Sequence, residues 1–307
     1  MGEVTSSLLH DGLIALSAVA AQELPAGSLH VVGMPIGNAA DITLRALWVL
    51  SRVDVIAAED TRVTRPLLTR YGIATPLIAA HQHNEQEVAQ LVVTRLAKAE
   101  RVALVTDAGT PGLADPGARI VRAVLDAGYR VIPVPGASSA MSALSASGVG
   151  GRQFTFAGFL PTGGQERERV LRTLALSANP FVLFEAPHRI AALVGLLATA
   201  LEPERRVVLA RELTKKFETV SAQTAAELST LTVEERGEYV VIVDVAPTRA
   251  QNDSDDLEID QSLTHWLTAL LDELPPARAA AIAAKASGQS KQAIYALALR
   301  LKSASRG

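Results

Sequence analysis

The chain's strongest chemical signal is the run Thr106-Asp107-Ala108-Gly109-Thr110-Pro111-Gly112-Leu113-Ala114-Asp115-Pro116-Gly117. Two Asp and five Gly or Pro in twelve residues exceed what a plain connection between elements needs. Glycine allows, and proline fixes, backbone shapes that leave amide and carbonyl groups open to a ligand. Two further segments, Gly33-Met34-Pro35-Ile36-Gly37-Asn38 and Pro135-Gly136-Ala137-Ser138-Ser139-Ala140, are weaker signals taken singly. Ser138 or Ser139 serves equally well as a helix N-cap. Among side chains able to move protons, His81 and His83 stand at i and i+2, on one face if the backbone is extended there. Asp60 and Glu185 are carboxylate candidates beside them. Arg62, Arg65, Arg189 and the Lys215–Lys216 pair adjoin the same segments and suit phosphate contacts that set register. The same cations can instead pair with Glu59, Asp60, Glu185 and Glu212. Two histidines without a clear third ligand do not make a metal site, and no metal is expected.

These segments need a framework, and the hydrophobic pattern predicts one. LHVVG, VDVIAAED, PLIAAH, RVALVTD and RVIPVP are short apolar runs between Leu29 and Pro135. Longer stretches at helical spacing separate them, which predicts a mostly parallel sheet covered by helices on both faces over residues 29–148. Each Gly/Pro segment then leaves a strand at its carboxyl end, where open α/β sheets bind ligands, so the three should converge on one pocket. Asp115 or Pro116 is expected to open the helix that ends near Gly128. Residues 149–246 read as a second α/β domain with a mixed sheet, because RVVLARE and FETVSA are joined by a short polar stretch of hairpin type. Residues 247–260 read as an acidic linker. Residues 261–307 form a small helical module with a helix-turn-helix pattern around Gly288. From Leu274 onward it carries Arg278, Lys285, Lys291, Arg300, Lys302 and Arg306 and no acidic residue, which suits nucleic acid. A helical dimerisation hairpin fits that pattern equally well.

Composition removes whole classes. The 307 residues contain no Cys, which excludes disulfides, thiolate chemistry and Cys-ligated metals. A net charge of -3 excludes a chain that is polybasic throughout. Walker A, GxGxxG, GxSxG and HExxH patterns are all absent. The longest apolar run, Ile190 to Leu201, falls short of the roughly 20 residues a membrane helix needs. Within residues 1–28, Gly12–Ala21 looks like a short signal-peptide core but has no Lys or Arg before it. A soluble, cytoplasmic protein is expected.

The motifs VGMPIGN, AAEDTRVTRPLL, HQHNE, TDAGTPGLADPG, VPGASSA, FEAPHR and ARELTKKFET occur in an order that resembles the ribosomal RNA cytidine 2'-O-methyltransferases of the tetrapyrrole methylase superfamily. The likeness covers about residues 29–245, and the linker and basic tail resemble that family's appended helical module. It implies a two-domain α/β tetrapyrrole-methylase-like fold and a homodimer, with S-adenosylmethionine held between the domains. By resemblance the cofactor touches Pro35, Asp107, Ala108, Gly109, Thr110, Leu113, Ser138 and Ser139. From the second domain it meets Glu185, Glu212 and Thr214. The implied substrate is a cytidine ribose of 16S ribosomal RNA in the decoding centre of the small ribosomal subunit; Arg62, Arg65, Arg189, Lys215, Lys285, Lys291 and Arg300, by their charge and position, are the candidates to contact it. Asp107 and the loop backbone can accept hydrogen bonds from the cofactor's ammonium and hydroxyl groups. A ribose hydroxyl needs a base, for which His81, His83, Asp60 and Glu185 all remain candidates. The alternatives are a tetrapyrrole-precursor methyltransferase, which has no evident use for a basic tail, and a cofactor-sensing DNA-binding regulator.

Overall fold

In the computed structural model the residues described are 18–247, 261–287 and 290–304. The segments read as leader and acidic linker therefore lie mostly outside them, as does Gly288. The chain divides into two compact units, Met1–Pro247 and Thr248–Gly307.

The first lobe of the larger unit contains β1 (Ser28–Val32), β2 (Val55–Ala58), β3 (Leu77–Ala79), β4 (Val102–Val105) and β5 (Arg130–Val134). They form one sheet in the order β3-β2-β4-β1-β5, with every pairing parallel. The central strands VIAA and VALV are buried along their whole length, because helices cover both faces. One face packs on α1 (Leu44–Arg52) and α2 (Thr61–Arg70), through Ala46, Leu50 and Leu68. The other packs on α3 (Glu85–Ala97) and α4 (Ala118–Asp126), through Val88, Val92, Ile120 and Val124. Thr43 caps α1 and Asp60 caps α2, each side chain accepting from a first-turn amide.

The second lobe is a mixed sheet of β6 (Thr155–Phe159), β7 (Phe181–Glu185), β8 (Arg206–Arg211), β9 (Thr219–Thr224) and β10 (Tyr239–Val243), ordered β6-β7-β10-β8-β9. β6 and β7 are parallel, the other pairings antiparallel, and β8 with β9 is the expected hairpin. α6 (Gly164–Ala175) and α7 (Ile190–Ala200) cover one face with Leu171, Leu193 and Leu197. The other face receives α5 (Ser139–Ser147), the helix that follows β5 of the first sheet. Its Ala140 and Ala143 pack on Val182, Val208, Val240 and Ile242, so one helix joins the two lobes. A four-residue helix, α8 (Ala225–Leu228), closed by a Thr224–Glu227 capping box, follows β9.

In the smaller unit α9 (Gln261–Glu273), α10 (Pro276–Ser287) and α11 (Lys291–Ala304) form a three-helix core. Ala279, Ala280, Ala283 and Ala298 allow close approach around Leu263, Leu267 and Ile294. Lys285, Lys291 and Arg300 all face solvent. Among the described residues no helix is long and apolar enough to cross a membrane.

Candidate functional site

The three Gly/Pro segments meet. The Met34 N–H donates to the Gly109 carbonyl at 2.8 Å and the Gly109 N–H donates back to Met34 at 3.2 Å, stitching the segment after β1 to the segment after β4. On the other side Gly33 lies against Gly136, where a Cβ on Gly136 would sit 2.6 Å from the Gly33 carbonyl oxygen. Only glycine at both places lets these backbones touch. The Thr110 hydroxyl donates to the Ala137 carbonyl at 3.3 Å, closing the ring of three loops. Pro35 is buried within this junction, Ala108 is exposed, and Leu113 presents an apolar side chain that is 51% exposed. Ser138 does cap α5, accepting from Met141 N–H at 3.5 Å. The helix after the long loop starts at Ala118, two or three positions later than expected. Gly117 forms its N-cap at φ 129°, a conformation that side-chain-bearing residues rarely adopt.

A group of acids lines the junction. Asp107 accepts from the Asp60 N–H at 3.0 Å, and Glu59 accepts from the Asp107 N–H at 3.4 Å. Glu59 and Asp107 both have raised pKa values, chiefly because burial disfavours their charge. Asp115 is exposed, yet desolvation on its inward side and the charges of Glu59, Asp107 and Glu238 push its pKa up to about 6. None of Glu59, Asp107 and Asp115 has an ion-pair partner among the described residues. Three carboxylates without a direct ion pair, Asp107 feeling Arg62 only at longer range, and set among open backbone groups, fit a positively charged, polyhydroxylated ligand. No group of ligands suited to a metal ion occurs among the described residues.

The second lobe contributes a strained turn. Glu212 and Thr214 lie at φ 51° and 66°, a costly conformation for residues bearing a Cβ. The Asn38 N–H donates to Thr214 Oγ1 at 3.0 Å, and the Lys215 stem packs over Gly37, so this turn clasps the loop after β1. Burial alone would raise Glu212, but the Glu238 N–H and Lys215 bring its pKa below the usual carboxylate range. Lys215 is pinned between Glu212 at 2.9 Å and Glu238 at 3.0 Å.

Other candidates occupy different surroundings. Glu185 is buried with its carboxylate paired to Arg167 at 2.7 Å and Arg189 at 3.2 Å, and it also accepts from the Ala186 N–H. Arg189 additionally donates to the carbonyls of Leu160 and Pro161. This triad holds the turn after β7 against the segment after β6 and leaves Arg189 little freedom to meet phosphate. Asp60 is gripped by Arg62 at 2.6 Å, which lowers its pKa to about 2. The Arg62 side chain is nonetheless 88% exposed. With Arg65, Thr61, Pro66 and Thr69 it lines a shallow hollow of about 530 Å³ along α2. His81 and His83 are exposed, with ring centroids 5.9 Å apart. They are not on an extended strand. β3 stops at Ala79, and Asn84 folds the chain into a turn by donating to the Ala79 carbonyl and accepting from the His81 N–H. His81 is close enough to Asp60 for its charge to act on that carboxylate. Sequence reading names Glu59 only as an ion-pair partner, Asp115 only as a helix start and Asn38 only as a loop residue, and does not name Glu238. The adjacency of Glu59 to Asp60 in AAED and the second Asp of the long loop were the signals available.

The uroporphyrin-III C-methyltransferase from Thermus thermophilus superposes with a TM-score of 0.53 at 22% identity, over 71% of this chain and 94% of that one. The two-lobed architecture is thus the tetrapyrrole (corrin/porphyrin) methylase fold, whose family pattern matches residues 28–229. Residues 257–302 match the RsmI C-terminal HTH domain. Ribosomal RNA small subunit methyltransferase I of Neisseria meningitidis serogroup B is 45% identical over 92% of this chain and 97% of its own length. That of Haemophilus influenzae is 42% identical over 89% and 96%. The chain belongs to the ribosomal RNA small subunit methyltransferase I family.

Proposed function

We propose that this protein uses S-adenosylmethionine to methylate the 2'-hydroxyl of a cytidine ribose in 16S ribosomal RNA, at the decoding centre of the small subunit. The observation that carries the reading is the match of nearly the whole chain, basic C-terminal helices included, to ribosomal RNA small subunit methyltransferase I relatives. The junction of loops fits the cofactor on its own terms. Asp107, Glu59 and Asp115 offer carboxylates with no direct ion pair, and the Gly109–Thr110 turn, Pro35 and Leu113 offer backbone and apolar contact. When bound, the cofactor supplies an electrophilic methyl group on a sulfonium. The carboxylates then face a cation that relieves their mutual repulsion. The Thr214–Asn38 clasp holds the second lobe's turn against the loop after β1, which favours a fixed alignment of donor and acceptor.

The base comes from the histidine turn in this reading. Glu185 has its lone pairs taken by two arginines and an amide, and Asp60, at about 2, is a weak proton acceptor. Histidine is the side chain suited to accept a proton near neutral pH, and His81 lies nearer the acidic junction through Asp60. Arg62 and Arg65 engage RNA phosphates, as do Lys285, Lys291 and Arg300 on the C-terminal helices. The protein works as a cytoplasmic homodimer.

The test is incubation with labelled S-adenosylmethionine and small ribosomal subunits, followed by mapping of any modified ribose. Bare RNA and a tetrapyrrole precursor serve as comparison substrates. Label on a cytidine 2'-oxygen is expected. Label on the tetrapyrrole alone, or on no ribose, overturns the assignment.

A further inference from the structure

Glu85 lies in the HQHNE motif yet plays no part in the chemistry above. Its side chain is nearly buried, and its Oε1 accepts hydrogen bonds from two amides of another segment, Gly117 N–H and Arg119 N–H, both at 2.9 Å. Those amides are the N-cap and second helical position of α4, whose own N-cap, Gly117, has no side chain to satisfy them. Oε2 lies 3.9 Å from the Arg119 Nε. A carboxylate here also meets the positive end of the helix dipole. The loop 106–117 is thus fastened at its start by the Met34–Gly109 bridge and the Asp107–Asp60 contact, and at its exit by Glu85. The exit also carries a 3.3 Å bond from the Gly112 N–H to the Pro116 carbonyl, and the Gly117 carbonyl accepts from the Val121 N–H at 2.9 Å as α4 begins. The residue before Glu85, Asn84, ties down the histidine turn. One dipeptide, Asn84–Glu85, therefore grips both the candidate proton acceptor and the far end of the acidic loop.

We propose that Glu85 is a positioning residue that sets the exit of the ligand loop and so fixes Asp115 and Leu113 for the cofactor. This rests on the S-adenosylmethionine reading above. Two variants separate reach from charge. Glu85→Asp keeps the charge but withdraws the carboxylate by one methylene from both amides. Glu85→Gln loses the charge but keeps an oxygen within reach of both. Two measurements on the full chain are needed: amide hydrogen exchange at Gly117 and Arg119 without ligand, and titration with S-adenosylmethionine and with ribosomal RNA. Glu85→Asp is expected to speed exchange at both amides and weaken S-adenosylmethionine binding about tenfold, with RNA affinity unchanged. Glu85→Gln is expected to restore cofactor binding to within about threefold. Unchanged exchange in Glu85→Asp overturns the proposal. So does faster exchange with unaltered cofactor affinity, or equal loss of cofactor and RNA binding. Failure of the unaltered protein to bind S-adenosylmethionine sinks the functional reading instead, and the exchange rates alone then decide whether Glu85 holds the loop.

Discussion

At the rim of the parallel sheet, Glu59, Asp107 and Asp115 crowd together without an ion-pair partner among the described residues, and all three have raised pKa values. At the rim of the mixed sheet, Glu185 sits between two arginines, while Glu212 and Glu238 share Lys215. Burial disfavours charge in both places, so the difference lies in what opposes it. Compensated carboxylates are finished structure. Carboxylates without a direct ion pair are, in the proposed reading, where a cationic ligand binds. In that reading the parallel sheet supplies the electrostatic half of ligand binding, and the mixed sheet supplies a wall with a strained clasp at Thr214.

Removing Glu185 should have the largest effect, and on stability. Glu185→Ala leaves Arg167 and Arg189 facing each other without their carboxylate in a buried setting. Breaking a buried pair in this way typically costs about 3–5 kcal/mol. Denaturant unfolding measures it, and a loss below about 1 kcal/mol would mean that the two arginines find other partners. Asp107→Ala should act chiefly on binding, beside the smaller loss of its hydrogen bond from the Asp60 N–H. Losing hydrogen bonds to a charged group is worth about 1.5–3 kcal/mol of S-adenosylmethionine affinity by calorimetry. An unchanged dissociation constant would remove Asp107 from the site and blunt the contrast between the rims. Gly136→Ala should come next. Its Cβ would lie 2.6 Å from the Gly33 carbonyl oxygen, so the two loops must separate. Overpacking of this kind costs about 1–3 kcal/mol, read as a lower melting temperature together with weaker cofactor binding.

The architecture was legible because its signals are local and repeated. Fully apolar strands such as VALV can only be central in a covered sheet, and the short link between RVVLARE and FETVSA forces a hairpin. Convergence of the three Gly/Pro segments followed from the parallel order, since each leaves the same edge. What stayed hidden depends on contacts distant in sequence. The motif FEAPHR offers Glu185 as readily to a substrate as to an arginine, and its partner Arg167 lies on α6, outside the motif. The two histidines share a face only if the backbone stays extended, and that condition fails because Asn84, bonded to the Ala79 carbonyl and the His81 N–H, bends the chain between His81 and Asn84. The start of α4 slipped to Ala118 because the capping function belongs to a carboxylate 32 residues away in sequence.

The smallest effect, and the most direct reading of the acidic rim, is the pH response of Asp115. Its pKa of about 6 lies above the 3.8 of an ordinary Asp, so the folded ligand-free protein holds that proton more tightly than the unfolded chain. Its contribution to stability therefore falls as pH rises from about 4 to about 6. Cofactor affinity should move the other way, strengthening as Asp115 ionises near pH 6. His30, in the core of the first sheet, titrates over much of the same range with the opposite sign. Burial, then Arg45, Arg101 and Arg130, lower its pKa from 6.5 to about 4, so its contribution to stability is lost as pH falls through that window. A melting curve of the unaltered protein alone would mix the two. Comparing it with Asp115→Asn cancels His30, and the difference between the two proteins should grow as pH rises from 4 to 6, with the Asn variant the more stable. In the same variant cofactor affinity should lose its rise near pH 6. Parallel curves in both measurements would mean that Asp115 ionises as an ordinary surface carboxylate, and the rim would then be defined by Glu59 and Asp107 alone.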